Sequence, residues 1–210
     1  MHVGNHDSKT FIPKVEQSTS ASAHHIATRL QHGQDWAGQA LAGWNFSEKL
    51  NGCRAYWDGA HLFSKSGRAI HAPQITQSLP QGFPLDGELY AGTTPEDFEA
   101  TRLLVQYGKP NTKVEFIAFD APDVRAEWPA RLAAAAQTGV KTVPTVHATT
   151  PDEIAAAIHA VITTGGEGLM ARKPGASYRS GRNAELLKLK SNALEHIPQS
   201  RAGSFTTHSN

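Results

Sequence analysis

Two lysines near the end of the sequence have the spacing expected of a strand that binds an anion. Lys188 and Lys190 alternate with Leu187 and Leu189, and side chains two residues apart point to the same face of a strand. Two ammonium groups on one face repel each other, and an anionic ligand relieves that repulsion. We therefore expect this strand to face a phosphate group.

Basic residues are concentrated around this strand, although the whole chain is almost neutral. The 210 residues contain 20 lysines and arginines against 19 acids. A solvated face is the common explanation for a basic run, but its overlap with the lysine strand favours contact with phosphates. Between residues 172 and 201 the acids are Glu185 and Glu195, and the basic residues are Arg172, Lys173, Arg179, Arg182, Lys188, Lys190 and Arg201.

Five short segments follow one another along the sequence, and their order is more informative than any one segment alone. In this order they resemble the motif series of the covalent nucleotidyltransferases, which include ATP-dependent DNA ligases, RNA ligases and mRNA capping enzymes. The stretch from Ser47 to Gly59 is most similar to the small ATP-dependent DNA ligases of bacteria and phages, and the resemblance extends from Leu30 to Ser191. The segments are Lys49–Arg54, Leu85–Leu89, Phe116–Asp120, Glu167–Met170 and Leu187–Lys190.

The resemblance implies a lysine nucleophile. Lys49 would take AMP from ATP as a phosphoramidate. A free lysine has a pKa near ~10.4, so burial and nearby cations must lower the pKa for the amine to attack. By the same resemblance, the nucleotide is contacted by Ser47, Glu48, Arg54, Glu88, Phe119, Lys188 and Lys190.

Two of the matched acids are candidates for metal binding. Glu88 resembles the acid that fixes the ribose and supports a metal ion, and Glu167 resembles the acid that holds metal near the lysine. Two carboxylates that converge on one phosphate site fit a hard cation such as Mg²⁺, or Mn²⁺ in its place. Either acid alone would pass for an ordinary residue at the end of a strand.

Nicked duplex DNA is the partner implied by the resemblance. AMP would pass from Lys49 to the 5′-phosphate of a nick, and the 3′-hydroxyl would then displace AMP. The residues expected to face the nucleic acid are Asn51, Lys65, Arg172, Lys173 and Arg182.

Two departures from the family pattern keep other functions open. Asn51 stands where the family has aspartate, which weakens any role in the nick-sealing steps and is similar to the pattern of some RNA ligases. The family continues after Lys190 with an OB-fold domain, for which the residues that follow here are too few. The alternatives are an RNA ligase with the same first step, or a catalytically impaired nick-binding protein.

The local signals predict strands and helices without regular alternation. Asp58-Gly59 predicts a two-residue hairpin turn of type I′ between two strands. Thr94 and Thr150 predict helix starts, and Gly108 and Gly139 predict helix ends. A helix and a loop are expected between residues 27 and 44. Phe116 and Phe119 should point to opposite faces of one strand.

These elements favour the α+β class. The resemblance specifies an ATP-grasp-like adenylation domain of antiparallel sheets flanked by helices, without an OB-fold domain. We expect this domain at residues 27–192, between polar tails at 1–26 and 193–210. The first 17 residues lack the apolar core of a signal peptide. We therefore expect a monomer without membrane contact, in the cytoplasm of a bacterium or of a phage-infected host.

Overall fold

Two β-sheets and the helices that cover them make up residues 20–197, the part of the chain that the computed structural model describes, with side chains from His25 onward. Most of the two predicted tails lies outside these residues. The strands are β1 (Gln31–Asp35), β2 (Asn45–Glu48), β3 (Cys53–Trp57), β4 (Leu62–Ser64), β5 (Leu85–Tyr90), β6 (Glu115–Asp120), β7 (Thr145–Val146), β8 (Leu169–Arg172) and β9 (Gly181–Leu189). The helices are α1 (Ser20–Arg29), α2 (Pro73–Thr76), α3 (Pro95–Tyr107), α4 (Trp128–Gln137), α5 (Pro151–Thr163) and a 3₁₀ helix (Ser191–Glu195).

The two sheets draw on different parts of the chain. The larger sheet has the strand order β1-β9-β8-β2-β7, and the smaller has the order β4-β3-β5-β6. Helices α3 and α4 pack on the smaller sheet, while α5 packs on β8 and on the 3₁₀ helix. This arrangement confirms the predicted α+β class, with mostly antiparallel sheets flanked by helices.

One pair of strands departs from the predicted antiparallel arrangement. Strand β1 runs parallel to β9, with His32 opposite Arg182, while the other pairs in both sheets are antiparallel. The segment from Gln31 to Asp35 is largely polar, so no apolar alternation marks it as a strand. Its pairing with the distant β9 determines its conformation, so local sequence signals do not predict it.

Helices α3 and α5 begin at the predicted caps. The Thr94 hydroxyl accepts a hydrogen bond from the backbone N–H of Asp97 at 3.2 Å, and Thr150 does the same for Glu153 at 3.2 Å. Each acid accepts a bond in return from the cap residue, which completes a capping box. Helix α3 ends at Gly108, whose φ of 66° is the left-handed conformation that glycine adopts without strain.

The predicted hairpin between β3 and β4 forms, but its turn type was wrong. Trp57 pairs with Leu62, which leaves four residues in the loop. A type I′ turn needs positive φ at both central residues, and within residues 20–197 only glycines have positive φ. The Asp58 carboxylate accepts hydrogen bonds from the N–H groups of Ala60 and His61, and these bonds stabilise the longer loop.

Separate apolar cores lie against the two sheets. Trp57, Leu85 and Phe116 belong to the core of the smaller sheet, and Phe46 and Ile158 belong to the core of the larger sheet. Each sheet thus has its own support, and the residues between them can form a site. Across the described part of the chain, the helices are too short or too polar to cross a membrane.

Candidate active site

Lys49 lies on a tight loop between the two sheets. The loop connects β2 of the larger sheet with β3 of the smaller one. The Lys49 N–H donates to the carbonyl oxygen of Gly168 at 2.8 Å, which holds the loop against the start of β8. A side chain at Gly52 would collide with the backbone of Leu89 and the side chain of Glu88. Glycine at this position therefore allows the loop to pass directly over β5.

The Lys49 side chain is held in a largely buried position. Its Nζ forms an ion pair with the carboxylate of Glu167, and 20% of the side chain is exposed. Burial lowers the pKa of Lys49, and Lys190 and Lys188 lower it further, while Glu88 acts in the opposite direction. Burial and the two lysines thus favour the neutral amine that a nucleophilic lysine requires, whereas the ion pair with Glu167 favours the ammonium form.

A cavity of about 320 Å³ lies beside Lys49 and is lined by both sheets. Most of the predicted site residues meet there, although they come from segments far apart in the sequence. The predicted residues that line the cavity are Glu48, Lys49, Arg54, Lys65, Glu88, Phe119, Arg172, Arg182 and Lys188.

Glu88 is an unusual carboxyl group within this cavity. Burial raises its pKa to about 7, against the opposing effects of Arg54, Lys49 and a hydrogen bond from the backbone N–H of Gly52. The carboxyl is therefore partly protonated at neutral pH in the free protein. A cation or further positive charge in the cavity would favour its ionised form.

Arg54 and Phe119 lie together on the smaller-sheet side of the cavity. The Arg54 guanidinium binds both oxygens of the buried Asp86 carboxylate, with Nε at 3.0 Å from Oδ1. The same guanidinium lies 5.3 Å from the centre of the Phe119 ring, within the range of a cation–π contact. Phe116 instead packs in the core of the smaller sheet, which confirms that the two rings occupy opposite faces.

Lys188, on β9, and Lys190, the residue that follows the end of β9, point to the same side, as predicted. Both ammonium groups lie 3.9 Å from Oδ1 of Asp35 on β1. Lys188 lines the cavity, and both lysines act on the pKa of Lys49. The repulsion expected between them is therefore partly offset by Asp35, an acid that was not predicted because β1 was not predicted.

Ser47 and Arg172 contact each other in the interior, and neither is exposed. Arg172 donates to the Ser47 hydroxyl at 2.8 Å, and its guanidinium lies 4.3 Å from the centre of the Trp128 ring. Burial lowers the pKa of Arg172 to about 10. Arg172 is 6% exposed and reaches the cavity from within the fold, and its contact with a DNA phosphate stays a prediction. Ser47 is buried and lies outside the cavity lining.

The other residues predicted to face nucleic acid are divided between two environments. Lys65 and Arg182 are exposed and line the cavity. Lys173 is exposed on the loop after β8, and Asn51 is half-buried on the Lys49 loop, but neither is among the residues that line the cavity. The structure thus brings Lys65 and Arg182 to the site and leaves Asn51 and Lys173 outside the cavity lining.

His32 and Met170 line the cavity and were not predicted. Burial lowers the pKa of His32, and Arg54, Lys65 and Arg182 act in the same direction. His32 belongs to the unpredicted strand β1, so no sequence signal pointed to it. Met170 lay inside a matched segment, but an apolar residue in a strand is usually part of a core.

Few of the carboxylates near Lys49 are placed to bind a metal ion together. No group of three or more histidines, cysteines, aspartates and glutamates suited to a metal ion occurs between residues 20 and 197. Glu88 and Glu167 both act on Lys49, from the cavity wall and from the start of β8 respectively. Magnesium is commonly bound by one or two carboxylates together with substrate phosphates, and this donor set fits that pattern.

Comparison with known proteins gives matches to DNA ligases. A DNA ligase of Haemophilus influenzae is 28% identical over 159 residues, which is 72% of this chain and 59% of the relative. A solved structure from a study of DNA binding by Lig E DNA ligases is 30% identical, has a TM-score of 0.68 and is matched over 77% of this chain and 68% of its own. The chain belongs to the DNA ligase family.

A DNA ligase that is more distantly related to this chain has the same fold. The Chlorella virus DNA ligase, solved as its adenylate, is 20% identical to this chain. The TM-score is 0.64, over 77% of this chain and 67% of the viral one. No family model matches the chain. The chain spans 59% of the length of its Haemophilus relative.

Proposed function

We propose that this member of the family is an ATP-dependent DNA ligase that seals nicks in duplex DNA. The observation that carries the proposal is the position of Lys49. Its amine is held by Glu167, has a lowered pKa and lies beside a cavity that contains Glu88 and Lys188. We assign the adenylation domain to residues 27–192.

The first step would join Lys49 to AMP. The Lys49 nitrogen forms a bond to the α-phosphorus of ATP, the bond from that phosphorus to the bridging oxygen breaks, and pyrophosphate leaves. The amine must lose its proton before or during the attack. Burial and the neighbouring lysines favour this loss, and the contact with Glu167 fixes the direction of the amine.

The charges on β9 would bind the phosphates of the nucleotide. Lys188 lines the cavity, and Lys190, which directly follows β9, lies on the same side. Phosphate oxygens between them and Lys49 would replace the weak contact of both lysines with Asp35, at 3.9 Å. Arg54, beside Phe119, would position the ribose and base.

Glu88 and Glu167 are the residues that would hold Mg²⁺ or Mn²⁺. The metal would neutralise charge on the phosphates of ATP and make the phosphorus more electrophilic. A bound cation would also keep Glu88 ionised, because positive charge next to a carboxyl lowers its pKa.

Transfer of AMP to DNA would use the exposed side of the cavity. Lys65 and Arg182 lie there and can contact the phosphates next to a nick. The relatives matched at 28% and 30% identity are DNA ligases, which favours DNA over RNA. We also propose that the protein acts as a monomer in the cytoplasm. Light scattering after size-exclusion chromatography tests whether it is a monomer in solution.

Intact-protein mass spectrometry tests the first step. After incubation with ATP and Mg²⁺ the mass should rise by one AMP, and acid should remove it. Lys49→Ala should abolish the addition, whereas Lys141→Ala should leave it unchanged, since Lys141 is an exposed lysine that pairs with Glu115. An unmodified mass, or nick sealing that persists in Lys49→Ala, would contradict the proposal.

A panel of nicked duplexes tests the second step and the competing function. Asn51 is the observation that favours an RNA ligase, because the small DNA ligases have aspartate there. We expect faster sealing when both strands at the nick are DNA. Preferential sealing of RNA strands would replace the proposed substrate while keeping the lysine chemistry. Lysine adenylation without sealing of any substrate would support an impaired nick-binding protein.

A further inference from the structure

A tyrosine in the loop between β8 and β9 is connected to the candidate active site through partly buried hydrogen bonds. The Tyr178 hydroxyl donates to Oδ2 of Asp86 at 2.6 Å. The same oxygen of Tyr178 accepts a hydrogen bond from the backbone N–H of Gln31 at 2.9 Å. Burial and the nearby Asp86 raise the pKa of Tyr178 well above its usual value, so the hydroxyl remains a donor.

Asp86 links this tyrosine to Arg54. Asp86 is completely buried, and its two oxygens accept bonds from the Nε and Nη2 atoms of Arg54 as well as from Tyr178. A buried carboxylate is stable only when its acceptor sites are occupied by such donors. Tyr178 therefore completes the coordination of the group that orients Arg54.

We propose that Tyr178 is a positioning residue, which acts through Asp86 to hold the Arg54 guanidinium against Phe119 and towards the nucleotide cavity. The inference rests on the proposed ligase function, because it assigns Arg54 to the nucleotide. Tyr178 does not line the cavity itself, so we expect its effect on the nucleotide to pass through Arg54.

The geometry of the bonds between Arg54 and Asp86 explains why the Tyr178 hydroxyl can affect the position of Arg54. Arg54 binds Asp86 through two nitrogens in a planar fork, and this geometry requires the carboxylate to keep its orientation. Without the Tyr178 hydroxyl, Oδ2 of Asp86 loses a donor and the N–H of Gln31 loses its acceptor. The carboxylate can then turn towards another donor, and the Arg54 guanidinium turns with it.

The loop has a second anchor that does not depend on Tyr178. Arg131 donates to the carbonyl oxygen of Ala176 at 2.9 Å and to both oxygens of Asp120. The loop therefore stays attached to the smaller sheet when the Tyr178 hydroxyl is removed. We expect Tyr178→Phe to fold, with the phenyl ring in the same position.

The test is a double-mutant cycle on the single-turnover rate of self-adenylation. Tyr178→Phe should slow the reaction about 10-fold in the natural chain, an effect of 1.4 kcal/mol. In an Arg54→Lys background, which keeps the charge but loses the planar fork, Tyr178→Phe should change the rate less than 2-fold. Tyr107→Phe is the matched control, because Tyr107 is 61% exposed on α3 and should not alter the rate.

Three results would overturn the proposal. One is an equal loss in both backgrounds, which would show that Tyr178 acts independently of Arg54. Another is an unchanged rate for Tyr178→Phe in the natural chain. The third is a Tyr178→Phe chain without a cooperative thermal transition, which would show that the hydroxyl is needed for the fold. If the natural chain does not add AMP to Lys49, the proposed function fails instead, and the two failures remain distinct.

Discussion

Glu88 should make the protein less stable at neutral pH than an uncharged residue would. Burial raises its pKa from 4.5 to about 7, so the folded state holds the Glu88 proton more tightly than the unfolded state does. The contribution of Glu88 to the free energy of unfolding is therefore complete below pH 4.5 and decreases as the pH rises towards 7. Glu88→Gln removes this dependence, because an amide has the shape of the protonated carboxyl and does not ionise.

The size of the effect follows from the two pKa values. One pKa unit corresponds to about 1.4 kcal/mol, so a shift from 4.5 to about 7 corresponds to about 3 kcal/mol. We expect Glu88→Gln to match the natural chain near pH 4.5. Above pH 7.5 the free energy of unfolding of the variant should be higher by about 3 kcal/mol. The Gly52 N–H can still donate to the amide oxygen, so the loop should remain closed.

Urea unfolding at a series of pH values measures this difference. The experiment is done without nucleotide and with a chelator, because a bound cation would favour the ionised carboxyl. Glu153→Gln is a control of opposite sign. Hydrogen bonds from Thr149 and Thr150 lower the pKa of Glu153 to about 2, so this variant should be less stable than the natural chain at neutral pH and should approach it in acid.

A constant difference between Glu88→Gln and the natural chain from pH 4.5 to 8.5 would refute the reasoning. It would show that Glu88 has an ordinary pKa in the folded protein. A Glu88→Gln variant that is less stable at pH 8 would show that the electrostatic attraction of the ionised carboxylate to Lys49 and Arg54 outweighs the cost of its burial. Adenylation should be lost in this variant in either case, since the amide is a poor ligand for a cation.

Two further predictions concern the Lys49 loop and the buried ion pair. Asn51→Asp should speed sealing of a pre-adenylated nick about 10-fold more than self-adenylation, or about 1.4 kcal/mol of barrier. Single-turnover rates of the two steps measure this, and unchanged or slower sealing would mark asparagine as an adapted residue. Asp120→Asn should cost about 3–5 kcal/mol in urea unfolding, because it leaves the buried Arg131 without its charged partner. A cost below about 1 kcal/mol would show that solvent reaches Arg131.

The sequence was sufficient to predict elements whose signals are local. Thr94 and Thr150 form the expected caps because capping depends on residues three positions apart. The faces of Lys188 and Lys190 follow from strand alternation in the same way. That the predicted site residues would meet at one cavity was expected only from the family resemblance. No local sequence pattern indicates which distant segments come together in the fold.

The parts that were missed depend on contacts between distant segments. Strand β1 forms because β9 pairs with it, and its own residues do not favour a strand. The burial of Arg172 depends on Trp128 and Ser47, which lie far from it in the sequence. Basic composition alone cannot distinguish a buried arginine from one that faces DNA. Tyr178 was missed for the same reason, since its partners are on β1 and β5.

The division of the chain between the two sheets determines the order in which the protein can fold during synthesis. The smaller sheet uses residues 53 to 120 without interruption, whereas the larger sheet needs β1 and β2 together with strands from residue 145 onward. The ribosome therefore releases a complete smaller sheet while the larger one still lacks β8 and β9. Lys49 is fixed by Gly168 and Glu167, so its surroundings form only when the last strands emerge. A nascent chain with a finished smaller sheet would thus lack the groups that hold Lys49 in place.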